Sequence, residues 1–430
     1  MTAGPSQQLV VPAADVVEQI LVQCWIFEAR GGDLDGARAR AERTLERLLS
    51  RGLPARRGPG GELLLDPYAA VNALKSRAGA PADESWPAWQ ATTRRNATSL
   101  PAAPHRYRFL LRREWHAFAP SPGRPLVFRL PLPLRDAQRG AAEVSLVEPA
   151  GGLVDRRDAP GRVELRVDPA AVRGPVVAEL GVTFVAGEGR DPGPPPGAPA
   201  TGSGAPEAGD EPWLRDREGV IAPSPALAAL AASLAGGAGD PRALLDRVYD
   251  RLISLLAFGD VHRGDLDADP LGSVLRLGVA DCVLGSSVLV ALARALGFPA
   301  RILSGFLLHP ANLGPHSWAE VKLGPGRWVP FDFGAWCYSA GDPTDPVWGG
   351  FFRGRVDARL VAEVAPRDFT GWGSAPPPPA WFRLERLRGR RIEHTLHALP
   401  DGRLARRDLL DLELLGPEGG PVGSGGAGGA

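Results

Sequence analysis

Val279-Ala280-Asp281-Cys282, running on through Val283 to Leu296 and closing at Gly297-Phe298-Pro299, is the stretch on which the fold of this 430-residue chain turns. Val283 to Leu296 is apolar on most sides, which predicts a buried helix. Gly297 falls at the C′ place and Pro299 stops the helix. Asp281 stands where an N-cap belongs, which puts Cys282 in the first turn. A thiol there meets unpaired backbone N–H groups and the positive end of the helix dipole, and both favour the nucleophilic thiolate. Position alone leaves a second reading open, a small buried hydrophobe.

The residues downstream shift that balance. Arg301 to Leu308 reads as a strand, and a loop leads from it to His316-Ser317-Trp318-Ala319-Glu320-Val321-Lys322-Leu323. Gly324-Pro325-Gly326 then turns the chain into Arg327-Trp328-Val329-Pro330-Phe331-Asp332-Phe333, a hairpin candidate. Two registers are open. Pairing 322 with 326 sets Asp332 directly opposite His316. Pairing 322 with 328 sets Asp332 opposite Trp318 and diagonal to His316. Both registers put the carboxylate and the imidazole on one face, within reach of each other. A carboxylate beside an imidazole fixes its tautomer and stabilises the imidazolium. With Cys282 this is the composition of an acyl-transfer triad.

Upstream, Leu227, Leu230 and Leu234, then Leu244, Leu245, Val248, Leu252 and Leu255, recur at helical spacing. Residues 1–100 read as a helical N-terminal region on the pattern Ala37, Ala41, Leu45, Leu48. The period then changes to two: Tyr107, Phe109 and Leu111, then Leu126, Phe128 and Leu130, Val163 to Val167, and Val176 to Phe184. This predicts a β-sandwich-like domain over 101–186, with Pro131 and Pro133 marking an edge. Residues 187–212 are almost wholly Gly, Pro, Ala, Ser and acidic residues, the composition of a linker. The catalytic segment spans 213–345, a C-terminal extension with short strands 346–415, and a flexible tail 416–430. His394 and His397 read as surface residues of that extension.

Lys+Arg and Asp+Glu both number 49, so the net charge is zero. That excludes a protein built to grip phosphate backbones or an anionic membrane, so neither nucleic acid nor membrane is an expected partner. Three cysteines and no CxxC exclude a disulfide framework and a zinc knuckle. His309, His316, Cys282, Cys337 and Asp332 match no zinc spacing, and the expectation is no metal and no cofactor. The first residues lack a basic n-region, and no apolar run reaches about 18 residues. The expected location is the cytoplasm.

The blocks Asp281-Cys282, Ala293-Arg294-Ala295-Leu296-Gly297-Phe298-Pro299-Ala300-Arg301, His316-Ser317-Trp318-Ala319-Glu320-Val321 and Trp328-Val329-Pro330-Phe331-Asp332 together resemble the transglutaminase-like superfamily. The resemblance covers residues 220 to 340. It implies an α+β, papain-like core in which helices pack on an antiparallel sheet. It assigns Cys282 as nucleophile, His316 as general base and acid, and Asp332 as the orienting carboxylate. The expected activity is cysteine-dependent acyl transfer on a peptide or protein substrate. Hydrolysis is favoured; transfer to an amine is one alternative and a non-catalytic binding protein on the same scaffold another. Tyr249 is the nearest polar aromatic donor upstream of Cys282 for an oxyanion, with the backbone N–H of Cys282 as a second donor. Trp318, Trp328 and Trp336 are the aromatics that could wall a substrate cleft.

Overall fold

The chain is described by a computed structural model covering residues 10–75, 85–98, 105–134, 141–186, 189–190, 207–236, 240–309, 312–338, 353–356, 358–365, 373–376, 378, 380–399 and 401–415. Most of the expected linker and the whole expected tail lie outside these residues.

The stretch that opens the sequence reading forms the helix Cys282–Ala295. Asp281 is extended and caps it, its Oδ1 accepting from the Leu284 N–H at 2.9 Å. At the other end Gly297 has φ +87°. The N–H groups of Phe298 and Gly297 reach back to the carbonyls of Ala293 and Arg294, the paired bonds that end a helix on glycine. The helices Pro225–Leu234, Pro241–Leu255 and Pro270–Leu277 each begin on proline behind a side-chain cap, Ser224, Asp240 and Asp269. Leu284, Val288, Leu289 and Leu292 are buried between these helices and a four-stranded antiparallel sheet. Its order is Trp328–Phe331, Pro315–Lys322, Ala300–Leu307, Arg359–Ala365. The last strand comes from the segment expected to form the C-terminal extension.

A six-stranded sheet runs Trp381–Arg388, Arg391–Ala398, Leu404–Leu415, His105–Trp115, Val176–Ala186, Ala142–Glu148. A three-stranded sheet, Leu126–Pro131, Arg162–Val167, Leu153–Ala159, packs on it through Phe128, Leu130, Val163 and Leu165. Leu126–Pro131 is an edge strand, as its prolines require. The strands after residue 380 are therefore part of the sheet that begins at residue 105. Their register is pinned by Arg113, which lies opposite Asp408 and holds it by two bonds of 2.8 and 2.7 Å. His394 is not a surface residue. It lies opposite both Glu385 and Asp408 inside the sheet, is buried, and its Nε2 bonds the Leu313 carbonyl.

The N-terminal region is not helical throughout. The helices Ala13–Cys24, Ile26–Arg30, Leu34–Ser50, Pro67–Lys75 and Ser85–Thr98 are joined by a small sheet of Val11–Pro12, Leu63–Leu65 and Ala55–Arg57, whose last strand is exposed. Ala13–Cys24 lies on the strand Trp381–Arg388, where Gln23 bonds Glu385 and Asp15 pairs with Arg386. Cys24 is buried. The end of the expected linker is tied down: Lys322 Nζ bonds Asp210 at 2.9 Å and also reaches Glu207. No helix among the described residues is long and apolar enough to cross a membrane.

Removing one partner of a buried ion pair leaves an uncompensated charge, at a cost of about 3–5 kcal/mol, whereas replacing both with apolar groups is far cheaper. Asp408 has 1% side-chain exposure and also lies 3.4 Å from Arg406. Asp408→Ala is expected to lose stability in that range by urea unfolding, and Arg113→Met/Asp408→Leu to lose less, because one guanidinium group, Arg406, then faces the vacated place instead of two. Equal losses in the single and double variants would contradict this account.

Candidate active site

Cys282 reaches its place through Val279–Ala280, which pairs in parallel with Ala257–Phe258 and aims the chain at the start of the helix. The Asp281 cap is itself held by Arg263, Nη2 to Oδ2 2.7 Å. Cys282 is a free cysteine of intermediate burial.

The hairpin adopts the second of the two registers, Lys322 opposite Trp328. The ladder ends at Ala319–Phe331, and Asp332 lies one residue beyond it. There the chain bends into the helix Phe333–Tyr338, and Asp332 Oδ1 accepts from the Ala335 N–H at 3.1 Å. His316 Nε2 lies 2.9 Å from Asp332 Oδ2 and 3.1 Å from Oδ1. Since Nε2 is committed to the carboxylate, Nδ1 is the nitrogen left to serve the thiol. Asp332 is wholly buried and His316 is 5% exposed.

A charged carboxylate with no solvent needs compensation from within. Arg359 supplies part of it, with Nη2 at 2.8 Å from Oδ2. Burial alone would raise the Asp332 pKa, but His316 and then Arg359 hold it well below the usual carboxylate range. For His316, burial pulls the pKa down. The charge and hydrogen bond of Asp332, and then the hydrogen bond to Cys282, outweigh it and raise the pKa to about 9. The imidazole is thus a cation at neutral pH, beside the thiol. Buried His309 is pushed the other way, to about 3, by burial first and then by Arg359 and His316. It stays neutral. Among the described residues no group of three or more His, Cys, Asp and Glu side chains is placed to hold a metal ion.

The structure places the Tyr249 hydroxyl on the backbone of Asp332. The residue is fully buried and its hydroxyl donates to the Asp332 carbonyl at 2.8 Å, so it props up the turn that presents the carboxylate. Trp318 packs beside the imidazole. It is fully buried, lies 6.3 Å from the His316 ring at 22°, and carries Arg359 on its face at 5.8 Å. Trp328 sits opposite Lys322, six residues and about 20 Å along the strand from His316. Arg301 covers its ring at 3.9 Å. Trp336 belongs to the helix Phe333–Tyr338, and its side chain lies outside the described residues.

Other segments surround the nucleophile. Arg263, which holds Asp281, lies under the ring of Trp381 at 6.0 Å. The Arg383 N–H donates to the Tyr68 hydroxyl, and Tyr68 stacks on His262 with centroids 4.5 Å apart. His262 in turn bonds Asp66. The N-terminal helix Pro67–Lys75 and the late strand Trp381–Arg388 thus meet near the Asp281 cap. Sequence reasoning missed these residues and Arg359, because each is a single polar residue in a segment with no motif.

The sign of the pH dependence follows from the shifts. His316 is raised from 6.5 in the folded state, so its stabilisation is complete below pH 6.5 and is lost as the pH rises through about 9. Asp332 is lowered, so its contribution holds above the ordinary carboxylate range and is lost only in acid. Wild-type stability is expected to fall between pH 6.5 and 9 by on the order of 2–3 kcal/mol. In Asp332→Asn that slope should flatten and the imidazole should titrate at lower pH by NMR. An unchanged His316 titration in Asp332→Asn would contradict the coupling.

Residues 228–333 match the family model described as "Transglutaminase-like superfamily". No curated protein matches the chain. Among solved structures, one titled a "Putative Cysteine Protease" from Cytophaga hutchinsonii is 13% identical, covering 72% of this chain and 99% of that one, with a TM-score of 0.43. The periplasmic domain of TgpA from Pseudomonas aeruginosa is 15% identical, covering 60% of this chain and 96% of that one, with a TM-score of 0.30. Likenesses of this size assign no reaction. It is the segment 228–333, with the helix that opens at Cys282 and the hairpin that ends at Asp332, that is transglutaminase-like.

Proposed function

We propose that the protein is a cysteine-dependent acyl-transfer enzyme whose favoured reaction is hydrolysis of a peptide or amide bond, with Cys282, His316 and Asp332 as its triad. One arrangement carries the reading: a half-buried cysteine opens a helix beside an imidazole whose Nε2 lies 2.9 Å from a wholly buried carboxylate. In the reactive pair the thiol proton rests on His316; the thiolate sulfur attacks the carbonyl carbon and forms the C–S bond, while the carbonyl electron pair moves to oxygen. The N–H groups of the helix's first turn have no intrahelical partner, and that of Cys282 can meet this oxyanion. His316 gives its proton to the leaving nitrogen as the C–N bond breaks, leaving a thioester. Water then loses a proton to His316 and attacks the thioester, and the C–S bond breaks to return the thiolate. Asp332 keeps the ring oriented throughout and accepts no proton. The partial exposure of Cys282 lets water reach the thioester, which favours hydrolysis over amine transfer. The reading carries no cofactor or metal, and it keeps the cytoplasmic setting expected above, where a thiol stays reduced.

Two measurements test this. Alkylation of Cys282 against pH, followed by mass spectrometry of its peptide, should show rapid reaction in the wild type and a loss of roughly 10²-fold or more in His316→Ala. An inert thiol, or one indifferent to His316, would mean a scaffold rather than an enzyme. A peptide pool incubated with a labelled amine should yield free acid faster than labelled amide. The reverse would make the protein an amine-accepting transferase.

A further inference from the structure

On the far side of the core sheet from the nucleophile helix, a cavity of about 530 Å³ lies between that sheet and the β-sandwich. The two units meet beside it at Gly161, where φ is +76° and an added Cβ would stand 2.1 Å from the Ala362 carbonyl oxygen. Four arginines line the cavity: Arg113, Arg129, Arg162 and Arg406. Two carboxylates stand behind them, each shared by two guanidinium groups. Asp408 holds Arg113 at 2.7 Å and lies 3.4 Å from Arg406. Glu164 holds Arg129 at 2.8 Å and Arg162 at 3.0 Å. Glu363 is the carboxylate that itself lines the space among the described residues, so the positive charges outnumber the negative ones. The rest of the lining is largely apolar and includes Trp213, Leu130 and Phe306.

Arg113 and Arg406, 10% and 18% exposed, share Asp408, and Arg129 and Arg162, 24% and 35% exposed, share Glu164, so an anion in the cavity would meet guanidinium groups from both pairs. At Arg406 burial, only partly offset by Asp408, lowers the pKa to about 10. The volume and the mix of apolar wall with a few convergent charges are those of a small-molecule site, and such sites favour the seams between packed units. We infer that this cavity binds a small organic anion, its charged group against the arginines and its apolar body against Trp213 and Phe306. The inference goes beyond the proposed reaction and does not depend on it. The floor includes Ser304, Gly305 and Pro315, and Gly305 is the ladder partner of His316, so an occupant would rest on the back of the strands that carry the imidazole.

The test needs no activity. Phenyl phosphate, inorganic phosphate and phenol are titrated into the full chain by calorimetry, beginning with wild type. Phenyl phosphate is expected to bind best, because it alone offers both charge and ring. Arg162→Gln is the variant of choice, since its side chain is 35% exposed and its loss should leave the fold intact. It should weaken phenyl phosphate about tenfold, the loss expected for one charge-assisted contact. Ala159→Trp, which fills the cavity and keeps all four arginines, should block binding while leaving the melting temperature near that of wild type. No binding of phenyl phosphate at about 1 mM, a range where even weak sites fill, would overturn the inference. So would equal binding in both variants and wild type.

Discussion

A carboxylate without solvent has to be met by charge and hydrogen bonds from inside the protein, and Asp332 is met from four directions. His316 comes from the neighbouring strand, Arg359 from the far strand of the same sheet, and the Ala335 N–H from the helix that follows. The Tyr249 hydroxyl comes from a helix on the other side of the core and holds the carbonyl of the same residue. Each partner belongs to a different element, so the site forms only when the hairpin, the sheet and the helical layer are all in place. The same residue ends a strand, caps a helix and sets the charge state of His316. That is why the raised imidazole and the depressed carboxylate belong together as one coupled feature of the fold.

A second buried pair does for the β-sandwich what Asp332 does for the core. Arg113 and Asp408 are far apart in sequence and adjacent in the sheet, so their bidentate contact fixes the register between the first sandwich strand and one that enters after the catalytic segment. Both lie on the buried face of the sheet with Phe109, Leu111 and Leu410, so a slip of one residue would carry one charge to the other face and leave its partner buried alone. The chain thus leaves the sandwich, builds the core and returns to finish the sheet it began. The N-terminal helix Ala13–Cys24 closes over the returning strands, which is how Gln23 comes to touch Glu385.

What the sequence disclosed and what it hid follow from the range of the signals. The helix at Cys282 announces itself through its own cap, its apolar run and its glycine stop, all local. The hairpin's turn and alternation are local as well, and left only two registers to choose between; the observed one, with Lys322 opposite Trp328, was one of them. Arg359 was invisible, because one arginine in a chain with only two lysines carries no information by itself. The strands after residue 380 were legible as strands, but their destination depends on the Arg113–Asp408 contact, which no spacing encodes. Aromatic composition was equally silent on position: Trp318 is buried beside the His316 ring, and Trp328 lies about 20 Å along the strand from it.

On the proposed reaction, the gradient of exposure across the site bears on how a substrate would approach. Cys282 is half-buried, His316 and Asp332 lie deeper, and Trp318 and the core sheet close the rear. The remaining direction runs past the helix N-terminus, where the stacked Tyr68 and His262, with Trp381 beside Arg263, stand around the Asp281 cap. Those residues come from the N-terminal region, the core and the last sheet. On the proposed reaction, the transglutaminase-like segment would carry the reacting groups, and the flanking segments would stand beside the approach to them. Asn72 bonds both the N–H and the carbonyl of Asp260, which ties the N-terminal helix to the loop beside the nucleophile. Substrate selection would then reside chiefly in Pro67–Lys75 and Trp381–Arg388, and two chains with the same Cys, His and Asp could act on different substrates by changing only these segments.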